Sequence, residues 1–206
     1  MKPIRKVLLI SLLLLFAGFA SVPCRGQFFW LGFQAGGGVS WFSHPEQDSS
    51  QLSAGAGPGF GFFLRYGSRP YYQLGVEWFF STNQMRFQVT PDKSMHDNVP
   101  FHNFRIPLTA GYEIVHLPRF KWRVGGGVSI GWNTILSDND FDYDREDIRN
   151  PQFGLTGETG IQFLNFLVQA DYNYFLSRFF SKDAETYGVN ITSHLQVFSL
   201  KVGMQF

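Results

Sequence analysis

The chain is poor in several things, and each shortage excludes something. It holds a single cysteine, Cys24, so no disulfide can form within it. Charge is sparse and balanced, with 16% Asp, Glu, Lys and Arg and 17 basic against 16 acidic residues. That balance offers nucleic acid no electrostatic footprint. There is no phosphate-binding loop. Gly36-Gly37-Gly38 and Gly125-Gly126-Gly127 are not followed by Gly-Lys-Ser/Thr and open no helix, so they read as strand glycines. Beyond residue 20 no apolar run approaches the ~20 residues of a membrane-spanning helix. Hydropathy alone would therefore assign the chain to water. Aromatic residues, however, are not scarce. They make up 18% of the chain, with 24 Phe, and that much oily surface needs somewhere to go.

The N-terminus explains some of the composition. Lys2, Arg5 and Lys6 precede the apolar run Val7 to Ala20 and a short polar stretch, the pattern of a secretory signal peptide. Cleavage is expected after Gly26, leaving residues 27–206 as one domain. A lipid-modified Cys24 is the rival reading, and Ser21-Val22-Pro23 suits it poorly. Four of the 17 basic residues (Lys2, Arg5, Lys6, Arg25) lie in the leader, so 13 face 16 acids after cleavage, a formal charge of −3.

The rest alternates. In FSLKVGMQF at the C-terminus, Phe198, Leu200, Val202, Met204 and Phe206 are apolar. Ser199, Lys201, Gly203 and Gln205 are not. This is a strand with one oily and one polar face. Eight such segments follow one another, at roughly 30–43, 54–66, 71–89, 102–115, 120–135, 153–164, 166–180 and 194–206. Short turns (67–70, 116–119 and a tight reversal at Asn165) alternate with longer loops (44–53, 90–101, 136–152, 181–193). That rhythm predicts an all-β fold, an eight-stranded antiparallel up-and-down transmembrane β-barrel with long loops on one rim and short turns on the other.

Charges choose the faces. Arg65, Glu77, Arg105, Glu113, Arg123, Glu158, Asp171 and Lys201 all fall on the parity opposite to the oily one. Turned inward, the oily parity would overfill a barrel whose interior only just fits side chains. Turned outward it meets lipid, and the four cations and four anions form a network inside. A lipid-facing charge at mid-depth would cost ~2–4 kcal/mol. Gly57, Gly59, Gly61, Gly125, Gly127 and Gly131 share the inward parity and make room for the charged side chains. Trp30, Trp41, Tyr66, Tyr71, Tyr72, Trp122, Trp132, Phe179 and Phe180 lie near strand ends, where interfacial girdles are expected.

The ending FSLKVGMQF, with terminal Phe206, resembles the assembly signal that closes many Gram-negative outer-membrane barrels. The stretch NFRIPLTAGYEI (Asn103 to Ile114) resembles a strand of the PorT-like outer-membrane β-barrel family, with Arg105 where an acidic residue is usual. The resemblance implies an eight-stranded barrel in the outer membrane, and its namesake belongs to a secretion and gliding apparatus. It also implies outer-membrane lipid, lipopolysaccharide and the barrel-assembly machinery as partners.

Candidate chemistry is thin. The loop holding Asp138, Asp140, Asp142, Asp144, Glu146 and Asp147 has the density of a calcium loop. Tyr143 stands at its turn-glycine position and Arg149 at its closing glutamate, so it reads as a solvated surface loop. Asn190-Ile191-Thr192 has the form of a glycosylation sequon, which has no meaning in a bacterial outer membrane. His96-Asp97 and Ser193-His194 are the seeds of a barrel hydrolase; adjacency in sequence sets no triad geometry. The expectation is a non-enzymatic outer-membrane barrel with a structural or binding role, no cofactor and no open pore. A secretion accessory contacting protein partners through its long loops is the alternative, and a hydrolase the third reading.

Overall fold

The computed structural model describes residues 29–43, 50–52, 54–90, 93–135, 148–179 and 193–206. They form nine strands: β1 Phe29–Phe42, β2 Ser50–Leu52, β3 Gly55–Gly67, β4 Tyr71–Thr90, β5 Lys93–His116, β6 Phe120–Ile135, β7 Gln152–Phe163, β8 Phe166–Phe175 and β9 Leu195–Gln205. Eight of them pair antiparallel in chain order and close on themselves. β4 joins β5, and β1 pairs with β9 from Gly32↔Gln205 to Phe42↔Leu195. The terminal residue extends that seam: Phe206 donates its amide to the Leu31 carbonyl at 2.8 Å, and Leu31 donates back to Phe206 at 3.1 Å. Closure leaves no sheet edge in the barrel wall, as a bilayer without hydrogen-bonding partners requires. No helix among the described residues is long and apolar enough to cross a membrane.

Local chemistry sets the reversals. Gly67 adopts φ 83, and a Cβ there would stand 2.6 Å from the Pro70 carbonyl, so the β3–β4 turn needs glycine. Between β7 and β8 the two-residue turn opens with Leu164 at φ 55. Gly36 matters for closure: a Cβ on it would lie 2.0 Å from the Leu200 carbonyl across the β1–β9 seam.

The faces are inverted relative to a water-soluble domain. Val202 is 60% exposed, Leu200 54% and Leu108 53%, whereas Arg65 is 2%, Arg105 3% and Lys201 4%. The outward wall also carries a run of touching rings (Phe60, Trp78, Phe80, Phe104, Trp132), with Trp78 and Phe104 edge to face at 5.4 Å.

Three expectations about elements need correcting. Residues 93–101, expected to lie in the loop 90–101, are strand. β4 and β5 stay paired as far as Thr90↔Lys93, although β6 leaves β5 at Phe101↔Ile135. The stretch KSMHDNVP (93–100) has no clean two-residue alternation, so the sequence did not mark it as strand. Within the expected loop 44–53, Ser50–Leu52 add a short strand beside Met85–Phe87. β8 stops at Phe175 rather than running to 180.

Candidate functional site

The barrel interior is polar, filled and ordered in layers. At mid-height four charges make a closed ring. Glu77 and Arg105 are direct cross-strand partners on β4 and β5, and Arg105 Nε donates to Glu77 Oε2 at 2.6 Å. Arg105 Nη2 then crosses the barrel to Asp171 Oδ2 on β8 at 2.5 Å. Lys201 on β9 completes the circuit, with Nζ 2.6 Å from Glu77 Oε1 and 2.5 Å from Asp171 Oδ1; the latter is an ion contact off the hydrogen-bond direction. Ser199 donates to Asp171 at 3.0 Å, and Gln34 Nε2 to Glu77 at 3.0 Å. Each acid touches both cations, so the ring is neutral as a whole. That balance makes four buried charges tolerable. Beside it a small pocket, with about 10 Å³ open to the centre of a water molecule, runs through the wall: Glu77, Arg105, Ser199 and Lys201 line its inner end, and the exposed Gly37, Phe60 and Trp78 its outer end.

Toward the short turns lies a second layer built on amides. Arg65 donates to Gln73 and Gln205. Arg123 donates to the same Gln205 at 3.1 Å and to Gln162 at 2.6 Å. The Arg65 guanidinium also sits over the rings of Phe63 and Tyr71, at 4.9 and 5.0 Å. Glu158 accepts from the Tyr71 hydroxyl at 3.0 Å and from Gln73 Nε2 at 3.2 Å. Glu113 contacts His116 Nδ1 and lies 3.8 Å from Lys121 Nζ. Toward the long loops, Ser40 and Ser81 both donate to Asn83 Oδ1, Asn103 donates to Asn133, and Ser129 donates to Asn173. Phe42, Phe101 and Phe179 pack edge to face above them, Phe42 and Phe179 at 4.9 Å, as an aromatic lid.

All eight charged residues singled out from sequence thus point inward. Glu77, Arg105, Asp171 and Lys201 gather into one ring, while Glu113 joins His116 and Lys121. Arg65, Arg123 and Glu158 are instead held by amides and a phenol. Sequence reasoning missed those glutamines and asparagines. Their signal was present: Gln73, Gln162, Gln169 and Gln205 share the parity of the charges. Three girdle assignments are overturned. Trp30 is cross-strand to Arg65 and its ring lies 5.5 Å from Lys121 Nζ, inside the barrel. Tyr71 is 1% exposed and Phe179 0%. Trp30 and Tyr71 lie on the inward parity, which outweighs nearness to a strand end; Phe179 folds into the lid beyond β8. Tyr66, Tyr72, Trp122 and Trp132 do face outward.

Of the hydrolase seeds, His96 and Asp97 stand in β5 opposite Arg86 and Met85, and His194 stacks on Tyr174 at 5.9 Å. His44, the acidic loop 138–147, Phe180, the segment 190–192 and the leader lie outside the described residues.

A closed antiparallel wall, oily outside and ion-paired inside, defines a membrane-spanning β-barrel. The chain belongs to the family described as outer membrane protein beta-barrel domain, which it matches over residues 23–181, and it is a protein of the outer membrane. No curated protein matches it. Among solved structures it is similar to Neisserial surface protein A, with 16% identity, 87% of this chain and 98% of that one covered, and TM-score 0.49. It is also similar to Ail, the attachment invasion locus protein of Yersinia pestis, solved with the heparin analogue sucrose octasulfate. There identity is 15%, coverage 87% and 100%, and TM-score 0.44. The N-terminal β-barrel domain of Pseudomonas aeruginosa OprF is a third, at 12% identity, 85% and 97% coverage, and TM-score 0.36.

Proposed function

We propose that this barrel is a closed anchor with a structural or binding role, holding a long β-hairpin clear of the membrane surface, and is not a conducting pore. The observation that carries this reading is the contrast between a filled interior and the overlong β4–β5 pair. β5 has 24 residues, whereas a barrel strand crosses a bilayer in ~9–11. Residues 93–100 continue the hairpin past the last β5–β6 pair by about 25 Å along the strand. Partners meet the protein at that arm and at the neighbouring long loops, at the level of lipopolysaccharide. Purified protein in planar bilayers should give no stable channel. Replacing residues 84–98 by an Asn-Gly turn should leave a heat-resistant barrel that has lost its surface interactions. Steady conductance, or full function without the arm, would overturn the reading.

The second reading, an accessory of a protein secretion or gliding apparatus, is favoured by the PorT-like stretch Asn103 to Ile114. Its test is deletion of the gene: intact secretion and surface motility would dismiss it. Under either reading the leader is removed after Gly26, and the barrel-assembly machinery recognises Phe206. N-terminal sequencing of the membrane form should begin at Gln27. Loss of Phe206 should slow assembly more than it weakens the finished barrel, because that residue adds only the last seam bonds to Leu31.

A further inference from the structure

Charge is divided sharply between the two ends of the barrel. Of the 16 acids, Glu77, Glu113, Glu158 and Asp171 point inward, and the other twelve fall at 46–48, 92–97, 138–147 and 183–185, in the arm and the long connections. The three short turns hold Arg69, His116 and Arg119 and no acid. Short turns of outer-membrane barrels face the periplasm, so a rim without exposed negative charge meets the phospholipid leaflet.

Arg69 is docked at that rim. The β5–β6 register slips at Ile114, between Glu113 and Val115. There Arg69 Nε donates to the Glu113 carbonyl at 2.8 Å and Nη2 to the Ile114 carbonyl at 3.1 Å. Its guanidinium carbon stands 5.6 Å from the centre of the Tyr112 ring, which faces outward. Among the described residues Nη1 meets no acceptor and no acid pairs with Arg69. Tyr72 lies on the same outer face. It is cross-strand to Ala110, two residues from Tyr112, so the two tyrosines are diagonal neighbours, ~7–8 Å apart at the backbone. Both are exposed, and neither hydroxyl has a hydrogen-bond partner among the described residues. Ala110 leaves the wall low between them. Leu74 and Leu108, a cross-strand pair, continue it as exposed hydrocarbon away from the rim.

These parts fit one molecule. A guanidinium with a free Nη1, flanked by two phenol donors, matches the oxygens of a phosphodiester, and the apolar strip beside them matches an acyl chain. The two carbonyls immobilise Arg69 before any ligand arrives, so little rotamer freedom is left to lose. We infer that Arg69, Tyr72 and Tyr112 bind the phosphodiester of an anionic phospholipid, with an acyl chain lying over Ala110, Leu74 and Leu108. An anionic headgroup is preferred to a zwitterionic one, because a headgroup ammonium would find no exposed carboxylate at this rim.

The test uses the protein refolded in micelles that contain equal amounts of phosphatidylglycerol and phosphatidylethanolamine, with bound lipid read by native mass spectrometry. The unaltered barrel should retain phosphatidylglycerol in preference to phosphatidylethanolamine. Arg69→Gln should lower that retention roughly tenfold, the effect of losing one charge-assisted hydrogen bond. Arg119→Gln removes an equal charge from the next turn and should leave retention nearly unchanged. Equal retention of the two lipids overturns the proposal. So does an equal loss in the two arginine variants, which would mean general attraction to a basic rim. Displacement of the lipid by excess inorganic phosphate would show a bare anion site and overturn the lipid assignment. Should Arg69→Gln not fold, Tyr72→Phe/Tyr112→Phe decides. It keeps both rings and the Arg69 contacts, removes the hydroxyls, and should retain less phosphatidylglycerol; unchanged retention refutes the site.

Discussion

Glu77→Gln is the most direct probe of the charge ring. Glu77 carries one side of it alone, contacting Arg105 and Lys201 at 2.6 Å each, and it is 6% exposed. Glutamine keeps the shape and removes the charge, so two buried cations are left with Asp171 as their single acid. Gln34 also loses a charged acceptor. Breaking a buried ion pair from one side costs about 3–5 kcal/mol, whereas an exposed pair would cost ~0–1 kcal/mol. The variant should unfold at clearly lower urea in micelles or lipid vesicles and lose its boiling-sensitive gel shift at lower temperature. Adding Lys201→Met restores one cation to one acid, because Arg105 still meets Asp171 at 2.5 Å. The double variant should therefore be more stable than Glu77→Gln alone, a coupling that independent sites would not show. A loss under ~1 kcal/mol, or a double variant that is simply the sum of its parts, would refute the ring as an energetic unit.

Other outcomes follow from the same coordinates. Leu200→Lys turns a 54% exposed lipid-facing side chain into a charge; it should cost ~2–4 kcal/mol near mid-depth, read as a lower folded fraction in outer membranes. Tyr71→Phe removes a 3.0 Å hydrogen bond to Glu158 and should lower unfolding stability by ~1.5–3 kcal/mol with the fold unchanged by circular dichroism. Gly36→Ala forces a Cβ against the Leu200 carbonyl and should destabilise the seam by ~1–3 kcal/mol. Gly157→Ala, with nothing within 4 Å of its Cβ, should be near neutral in the same urea titration.

Strand identity and face were legible in sequence because both are local. Side chains alternate with a period of two whatever the strand pairs with, so the parity of Leu200 and Lys201 could be read before any fold was known. The same alternation placed all eight charges inside. It was less informative past Phe101, where residues 93–100 carry no clean alternation and concealed a paired arm that the structure reveals. At Trp30 and Tyr71 parity held and nearness to a rim misled.

The sequence by itself determined that a closed, oily-walled barrel with a charged interior must form, because every strand carries that instruction within a few residues. Only the tertiary structure decided which charges meet. Glu77 and Arg105 face each other through the pairing of neighbouring strands. Arg105 reaches Asp171, and Lys201 reaches Glu77, across the interior from strands 66 and 124 residues apart in sequence. Those contacts depend on the stagger with which the sheet closes, a property of all eight strands together. The amides around Arg65 and Arg123 follow the same rule: their partners are chosen by what the closed wall brings within reach.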